Sequence, residues 1–371
     1  MRRSSTVPNP ETNLTELLKR RISEYGPIDL GTFMFEALQH SQFGYYNRPV
    51  VLGSKGDFIT APEISQVFGE LIGLWLLERW QSMSEPSSFA LVELGPGNGT
   101  LMSDVLRAAK LLPGFINSME LHLVESSNSL RQIQANKLSA FSPIWHQDIT
   151  SLPQSPTLIV ANEYFDALPI RQFTKTDEGD WREILVGLSE DDGLSYVMSE
   201  KIDVKHIQSL GADPKTLEAH DFVEVSPATM AQATLLGDHI QKVGGTGLFV
   251  DYGYRQAEGY NSFQAVKQHQ KHEPLTEVGT ADLTAHVDFH ALSKAFSKRG
   301  LQTFGPSEQG EFLLALGLEE RLSKLMQKAN AAQEQEARQG AKRLVDPDQM
   351  GQLFKVLAVS SSPATPAGFP I

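Results

Sequence analysis

The sequence contains no cysteine, and this absence excludes several kinds of chemistry. Disulfide bonds, thiolate nucleophiles and zinc sites with cysteine ligands all require that residue. A chain without cysteine suits a reducing compartment. We therefore expect a bacterial cytoplasmic protein, with the mitochondrial matrix as the alternative.

Long apolar runs are also missing, since none approaches the ~20 residues that a membrane-spanning helix needs. The first 13 residues, MRRSSTVPNPETN, carry two arginines with no apolar stretch behind them. They do not have the pattern of a secretory signal, and we expect a frayed tail, with a transit-peptide remnant as the alternative. The sequence predicts no membrane insertion.

Positive charge is scarce, because 32 lysines and arginines face 45 aspartates and glutamates, for a net charge of −13. An acidic chain is a poor general binder of phosphate backbones, so we expect no nucleic-acid partner. The 371 residues, 40% of them hydrophobic, are enough for one large or two smaller globular domains.

Strand and helix patterns alternate from about Phe89, as in an open α/β sheet. We predict strands at 90–94, 120–125 and 157–162, and further strands at GLFVDYG and LFKVLAVS. Helices should follow Thr100 and Asn128, and another should cover roughly 228–243. RQFTK and WREILVGL predict an inserted hairpin. The polar segment KANAAQEQEARQGAKR is either an exposed helix or a mobile segment.

The residues before this region predict helices with recognisable N-terminal caps. Asn13 and Glu16 have the spacing of a capping pair, and a second helix should begin after Asp29. Thr60 and Glu63 have the same spacing and predict a capping box that opens a longer amphipathic helix. We therefore divide the chain into N-terminal helices (1–88) and a core (89–371) with insertions at approximately 171–222 and 253–330.

The stretch ALVELGPGNGTLMSDVL, residues 90–106, predicts a strand, a glycine turn and a helix. Gly95, Gly97 and Gly99 let a ligand approach the backbone closely. A dinucleotide site needs a third glycine where Thr100 stands, which argues against NAD and a dehydrogenase. The E/D-x-G-x-G-x-G turn of class I methyltransferases, which bind S-adenosylmethionine, matches better, and Glu93 then faces the cofactor's ammonium group. An ordinary turn between strand and helix is the alternative.

Two further acids follow in the expected order. Glu125 ends the next predicted strand, 28 residues after Gly97, where a carboxylate can accept both ribose hydroxyls. Asp148 follows the apolar Ile144 and Trp145, and we predict that it accepts from the adenine amino group. For Asp148, a solvated loop acid is the alternative.

The catalytic candidates lie in ANEYFDALP, residues 161–169. Ligands of open parallel sheets lie at the carboxyl ends of the strands, which places Asn162, Glu163 and Asp166 next to the sulfonium. An acid here suits a cationic guanidinium, and the N/D-P-P-Y/F turn of DNA amino-group methyltransferases is missing. The alternatives are pairing of Glu163 with Arg171 or a backbone N–H, and a capping role for Asp166.

Several stretches together resemble the MidA family, which includes the mitochondrial complex I assembly arginine methyltransferase. The resemblance runs from about Leu14 to Ala358. The stretches that carry it are FGYY (43–46), GDFITAPEISQVFGE (56–70), VELGPGNGTL (92–101), ANEYFDALPIRQF (161–173), VDYGY (250–254), FQAVKQHQ (263–270), GTADLTAHVDF (279–289) and MGQLFKVLA (350–358).

This resemblance implies a class I methyltransferase core, Rossmann-like and mostly parallel, with N-terminal helices and an inserted α+β portion. It also implies methyl transfer from S-adenosylmethionine to a protein arginine, with a respiratory complex I subunit as a candidate partner. The N-terminal segment with Thr60, Pro62 and Glu63 would cover the cofactor. Asp251 would face the pocket and His286 would contact substrate, with a turn acid and a hydrogen-bonding histidine as alternatives.

Four functions compete at this point. A protein arginine methyltransferase is our first hypothesis, and a small-molecule amine methyltransferase is the second. The third is a non-catalytic assembly factor that keeps the cofactor pocket, and a dehydrogenase is the fourth. Methyl transfer needs no metal, and the i,i+4 pair of His286 and His290 has no convincing third ligand, so we predict no metal site. The sequence predicts no oligomeric state.

Overall fold

The structure is a computed structural model that describes residues 13–48, 60–256, 259–327 and 329–370. The predictions for the N-terminal tail through residue 12, and for the part of the loop between residues 49 and 59, concern residues outside these ranges. None of the helices in the described part of the chain combines the length and apolar character that crossing a bilayer requires.

Helices and strands alternate along the described residues. The helices are α1 (Leu14–Tyr25), α2 (Leu30–Gln39), α3 (Ala61–Ile64), α4 (Gln66–Ser82), α5 (Thr100–Ala109), α6 (Pro113–Ser118), α7 (Asn128–Lys137), α8 (Val204–Ser209), α9 (Pro214–Ala219), α10 (Pro227–Val243), α11 (Phe289–Ser297), α12 (Gln309–Ala315), α13 (Leu318–Met326) and α14 (Ala331–Val345).

The strands are mostly short, and three of them belong to a small separate sheet. They are β1 (Ile28–Asp29), β2 (Phe89–Leu94), β3 (Met119–Val124), β4 (Ile144–His146), β5 (Thr157–Asn162), β6 (Arg171–Lys175), β7 (Trp181–Leu188), β8 (Leu194–Lys201), β9 (Phe222–Val225), β10 (Gly245–Tyr254), β11 (Gln264–Lys267), β12 (Gln270–His272), β13 (Asp282–Thr284), β14 (Val287–Asp288), β15 (Gln302–Glu308) and β16 (Phe354–Ser360).

The main sheet has the strand order β15-β16-β10-β5-β2-β3-β4, and β14 pairs with the end of β10. The strands from β10 to β4 are parallel to their neighbours, and β16 runs antiparallel between β10 and β15. The chain turns outward from β2 through β3 to β4 and then returns to place β5 on the other side of β2. Ligands of such sheets bind where the strand order reverses, which here is the carboxyl end of β2 and β5.

Apolar side chains cover both faces of this sheet. On β2, Phe89 and Leu91 pack in one apolar cluster with α4 and α5, while Val92 and Leu94 pack in a second one with α10 and α11. Successive side chains of a strand point to opposite faces, so a strand such as β2 whose residues are all buried marks a sheet that is covered on both sides. This arrangement confirms the predicted α/β class and most predicted core elements.

A second sheet joins the N-terminal region to the first insertion. The hairpin β6–β7 forms as predicted, and β8 and β9 extend it. β1 pairs with β7, Ile28 opposite Val186, and α1 and α2 share an apolar cluster with Val186 and Ile170. The N-terminal helices therefore build one layer with the inserted hairpin, while the boundary at residue 88 stays a prediction.

The capping predictions are right at two helices and wrong at one. The side chains of Asn13 and Asp29 accept from the backbone of the first turns of α1 and α2. Thr60 makes no side-chain cap, α3 ends at Ile64, and Ser65 caps the separate helix α4. The capping box is absent because Glu63 turns toward another element instead, and accepts from the Thr100 hydroxyl at 2.6 Å.

The polar segment near the C-terminus is helical. Asn330 and Gln333 form a reciprocal capping box at the start of α14. The helix is exposed over most of its length, but Ala341 and Leu344 are buried, and Gly340 lies against the carbonyl of Ile64. Of the two predicted alternatives, the exposed helix is therefore the correct one, although its end packs against the N-terminal region.

Candidate active site

A cleft opens at the carboxyl ends of β2 and β5, and acidic side chains dominate its charge. No lysine or arginine belongs to the described residues that line it. Because like charges repel in a partly desolvated cleft, such a lining favours cationic ligands. The acids that line the cleft are Glu63, Glu93, Glu125, Glu163, Asp166 and Asp282.

The glycine turn between β2 and α5 forms one wall. Gly95, Gly97 and Gly99 all have positive φ, at 60°, 50° and 71°. Side-chain-bearing residues rarely adopt this backbone conformation, so the turn depends on glycine. The carbonyl of Gly97 accepts from the Gln134 side chain at 2.8 Å, which fixes the turn to α7.

Glu93 lies behind this turn, at the end of β2. Its side chain is only 3% exposed, and its Oε2 atom has no hydrogen-bond partner in the described structure. Burial, with the nearby charge of Glu125, raises the pKa of Glu93 to about 8. A buried acid with an open acceptor is suited to a ligand that brings a positive charge.

Glu125 follows directly after β3 and is held in place by α7. Its Oε1 atom accepts from the backbone N–H of Ser127 at 2.8 Å, and Oε2 accepts from the Gln134 side chain at 3.2 Å. Burial raises the pKa of Glu125. Glu125 therefore lies at the carboxyl end of β3, as predicted, one residue beyond the last residue of the strand.

Asp148 lies beside the cleft lining rather than in it, and its contact with adenine stays a prediction. Its side chain is exposed and caps a short 3₁₀ turn, where Oδ1 accepts from the backbone N–H of Thr150 at 2.8 Å. Hydrogen bonds from the Thr150 hydroxyl and from this backbone N–H lower the pKa of Asp148. The neighbouring Gln147, not Asp148, lines the cleft. The sequence also allowed a capping role here, since an aspartate that directly precedes a helical turn commonly accepts from the backbone N–H two residues further on.

Glu163 stands immediately after β5, in a turn with a positive φ of 52° that is unusual for a non-glycine residue. Its Oε1 atom accepts from the backbone N–H of Ala61 at 3.2 Å and from the Asn162 side chain at 3.1 Å. Of the two alternative partners expected for Glu163, the backbone N–H is present, at Ala61, whereas Arg171 pairs with Glu183. Burial, with the nearby Asp166, raises the pKa of Glu163 to about 8.

Asp166 lies on the same turn and is 6% exposed. Its Oδ2 atom accepts from the Tyr252 hydroxyl at 2.6 Å, while Oδ1 has no partner in the described structure. Burial raises the pKa of Asp166 to about 6. Asp166 is thus a buried carboxyl group that borders the cleft, and one of its oxygen atoms has no hydrogen-bond partner among the described residues.

Asp251 lies under the turn rather than in the cleft. Its Oδ2 atom accepts from the backbone N–H groups of Tyr164, Phe165 and Asp166, and Oδ1 accepts from that of Tyr252. Of the two roles expected for Asp251, the structure shows the acid that stabilises a turn, because both of its carboxylate oxygens accept from backbone N–H groups. It holds the segment that carries Glu163 and Asp166.

His286 also lies away from the cleft. Its Nδ1 atom is 2.6 Å from the Tyr260 hydroxyl, and His286 borders a separate cavity that is lined by the segment from α8 to β9, by α10 and by α11. His286 precedes α11 and His290 lies within it, so the two do not share a helix face. The structure gives His286 no contact with the acidic cleft.

The N-terminal segment borders the cleft as predicted. Thr60, Pro62 and Glu63 all line it, and Glu63 bonds to Thr100 at the start of α5. The lining residues that were missed as site residues include Tyr46 and Asp282. Both belong to stretches that carry the family resemblance, and that was the one signal in the sequence that pointed to them.

The cleft fits S-adenosylmethionine. That molecule presents an ammonium group, a sulfonium and ribose hydroxyls, all of which a carboxylate can stabilise or accept from. Glu93 has an open buried oxygen, Glu125 stands at the end of the neighbouring strand, and the glycine turn leaves room at the backbone. None of the described lining residues offers the cationic side chains that commonly neutralise a dinucleotide's phosphates.

Sheet order, the single reversed strand and the acidic cleft together define a class I methyltransferase fold. A family model described as "Putative S-adenosyl-L-methionine-dependent methyltransferase" matches residues 71–307. The chain belongs to this family, the MidA family of S-adenosylmethionine-dependent methyltransferases. It is accordingly an enzyme of that class, with S-adenosylmethionine as its cofactor.

Relatives of similar length support this assignment. The Drosophila melanogaster protein named "Protein arginine methyltransferase NDUFAF7 homolog, mitochondrial" is 38% identical over 96% of this chain and 86% of its own length. The Homo sapiens protein named "Protein arginine methyltransferase NDUFAF7, mitochondrial" is 35% identical over 95% and 84%. A Burkholderia thailandensis protein, crystallised bound to S-adenosyl-homocysteine, has the same fold, with a TM-score of 0.81, 24% identity and coverage of 98% and 97%.

Proposed function

We propose that this enzyme transfers a methyl group to an arginine nitrogen of a protein substrate. The observation that carries the proposal is the pair of acids beside the cofactor cleft, Glu163 and Asp166, with no lysine or arginine in the described lining. A guanidinium is always cationic in proteins and pairs well with carboxylates. The names of the curated relatives, protein arginine methyltransferases, support the same substrate class.

The cofactor half of the cleft is the part formed by the carboxyl ends of β2 and β3 and by the glycine turn. We propose that Glu93 accepts from the ammonium group, that Glu125 accepts from the ribose hydroxyls, and that Gly95, Gly97 and Gly99 make room for both. The segment with Thr60, Pro62 and Glu63 covers this half. When bound, S-adenosylmethionine supplies the electrophilic methyl group.

The substrate half orients the attacking nitrogen. We propose that Glu163, oriented by Asn162, binds the guanidinium and holds one nitrogen in line with the reacting methyl. Positioning of this kind supplies much of the rate of a displacement reaction. Asp166 accepts the proton that the nitrogen loses, since its raised pKa of about 6 places it closer to neutral pH than an ordinary aspartate.

The protein partner and the compartment are also proposals, based on the family resemblance and on the names of the relatives. We propose a protein substrate, with a respiratory complex I subunit as the first candidate because of the family resemblance. The curated relatives are named as mitochondrial proteins, which supports the mitochondrial alternative for the compartment. The expected bacterial cytoplasm has no support from these names.

Labelling separates the substrate classes. The protein is incubated with methyl-labelled S-adenosylmethionine and a lysate of its source. A labelled protein band that digests to methylated arginine is the expected result, and label only in small molecules would contradict a protein substrate.

Two variants test the proposed role of Glu163. Glu163→Gln should bind the cofactor with unchanged affinity but lose at least about 100-fold in turnover. Glu178→Gln, an exposed glutamate in the β6–β7 turn, serves as the matched control and should stay active. Full activity of Glu163→Gln would remove Glu163 from the proposal.

A further inference from the structure

Tyr46 and Asp282 form a part of the cleft wall that the proposed reaction does not yet use. They lie 236 positions apart in the chain, and the Tyr46 hydroxyl donates to Oδ1 of Asp282 at 3.0 Å. Both residues line the cleft, and Asp282 is only 8% exposed. A buried carboxylate held by a tyrosine hydroxyl is a positioned group rather than a solvated surface acid.

The backbone around this pair is tied to both halves of the cleft. The carbonyl of Tyr46 accepts from the Ser127 hydroxyl at 2.8 Å, and the backbone N–H of Ser127 donates to Glu125. On the other side, the backbone N–H of Ala285, just beyond β13, donates to the carbonyl of Asp166 at 3.0 Å. Tyr46 is thereby fixed to the cofactor half, and the strand of Asp282 to the turn of Asp166.

The electrostatics place Asp282 close to the proposed substrate acids. Burial is the main cause of the raised pKa of Glu163, and the negative charges of Asp166 and Asp282 add to it. Burial likewise raises the pKa of Tyr46, with contributions from Asp282 and Asp166. Independently of these charges, the Oδ1 atom of the buried Asp166 has no hydrogen-bond partner within the described ranges, although the residue lines the cleft.

We propose that Asp282, positioned by Tyr46, is a further carboxylate that binds the substrate guanidinium and that it selects arginine over lysine. This inference rests on the proposed arginine methylation. A guanidinium carries five donors in a fixed plane, so carboxylates from separate segments can accept from more than one of its edges. A lysine ammonium is a compact, strongly hydrated charge that gains less from such a planar arrangement.

Binding of small probes tests the inference without knowledge of the protein substrate. N-acetyl-arginine methylamide and its lysine counterpart are titrated by calorimetry into the enzyme saturated with S-adenosylhomocysteine. The wild type should bind the arginine probe at least about 5-fold more tightly than the lysine probe. Asp282→Asn should weaken the arginine probe at least about 10-fold and leave the affinity for S-adenosylhomocysteine within about 2-fold.

Two further variants complete the design. Glu277→Gln changes an exposed glutamate of the same insertion that pairs with Lys267, and it should bind both probes like the wild type. Tyr46→Phe keeps the ring and removes the hydroxyl. It should lower the ratio of arginine to lysine affinity by about 3-fold or more, whereas a general loss of structure would weaken both probes and S-adenosylhomocysteine alike.

The outcomes separate the two proposals. A wild type with no preference for the arginine probe would contradict the proposed function itself. A wild-type preference that survives unchanged in Asp282→Asn, with S-adenosylhomocysteine binding intact, would overturn only the role of Asp282. If Asp282→Asn loses S-adenosylhomocysteine binding, Tyr46→Phe decides, and an unchanged affinity ratio in that variant overturns the inference.

Discussion

The carboxylate of Asp251 accepts a hydrogen bond from the backbone N–H of Phe165 at 3.0 Å, across 86 positions of the sequence. The flanking N–H groups of Tyr164 and Asp166 donate to the same oxygen atom at 3.2 Å. A buried residue of β10 thereby fixes the turn that carries Glu163 and Asp166. Asp251, which is 1% exposed, positions these residues without contacting the cleft.

Asp251→Asn should therefore damage both stability and turnover. An amide offers one acceptor oxygen and brings two donors, so some backbone N–H groups of the turn lose their partner. We expect the free energy of unfolding to fall by about 2 to 4 kcal/mol, measured by urea denaturation. Asp148→Asn changes an exposed aspartate cap and should cost less than about 1 kcal/mol. Equal losses in the two variants would contradict the positioning role of Asp251.

The pH dependence of kcat/KM should report Glu163. Its pKa of about 8 means that the carboxyl group is mostly protonated at neutral pH before a cationic substrate arrives. If the ionised form binds the guanidinium, kcat/KM rises with pH and levels off above that pKa, since arginine itself does not titrate in this range. The assay uses saturating cofactor, so that Glu93 is already occupied. The residual activity of Glu163→Gln should lack this rise, and a flat wild-type profile would contradict the assignment.

Glu93 should make the cofactor-free protein less stable as the pH rises. Because its folded-state pKa is raised, its contribution to stability is fully present below its ordinary pKa of 4.5 and is lost as the pH approaches about 8. The glutamine side chain of the Glu93→Gln variant does not titrate. The variant should therefore gain roughly 3 kcal/mol over the wild type between about pH 5.5 and pH 8, measured by urea denaturation without cofactor.

The same substitution should weaken S-adenosylmethionine binding by at least about 10-fold, because the charge that faces the ammonium group is lost. The control Glu178→Gln should match the wild type in both measurements. A Glu93→Gln variant that is stabilised but binds the cofactor normally would place the ammonium group elsewhere.

Gly95→Ala and Gly179→Ala form a matched pair. Both glycines have positive φ, 60° and 83°, so alanine should cost each variant roughly 1 to 2 kcal/mol of stability. At Gly95 the new Cβ would also lie 3.0 Å from the Tyr164 ring, while at Gly179 nothing lies within 4 Å. Calorimetry should show weaker cofactor binding for Gly95→Ala alone. Equal cofactor affinities would remove the turn from the proposed site.

Local patterns predicted many of the residues that line the cleft at the carboxyl ends of β2, β3 and β5. The glycine turn and Glu125 follow from strand, turn and helix periodicity within short windows, and such windows also predicted β5 and its acidic turn. The capping box at Thr60 failed because Glu63 bonds to Thr100, a contact between elements 37 positions apart. Asp148 makes a local contact that the motif did not include, since its Oδ1 atom caps the turn at Thr150, and its contact with adenine stays a prediction.

The sequence by itself determined the α/β class, the strands that end at the cleft and the excess of acid in the chain, because these depend on periodicity and composition. Only the tertiary structure decided which groups these side chains contact and which of them lie at the cleft. Asp251 is bound by backbone donors, His286 lies at another cavity, and Asp282 meets Tyr46 at the cleft. These roles depend on contacts between segments far apart in the chain, and spacing within one segment carries no information about them.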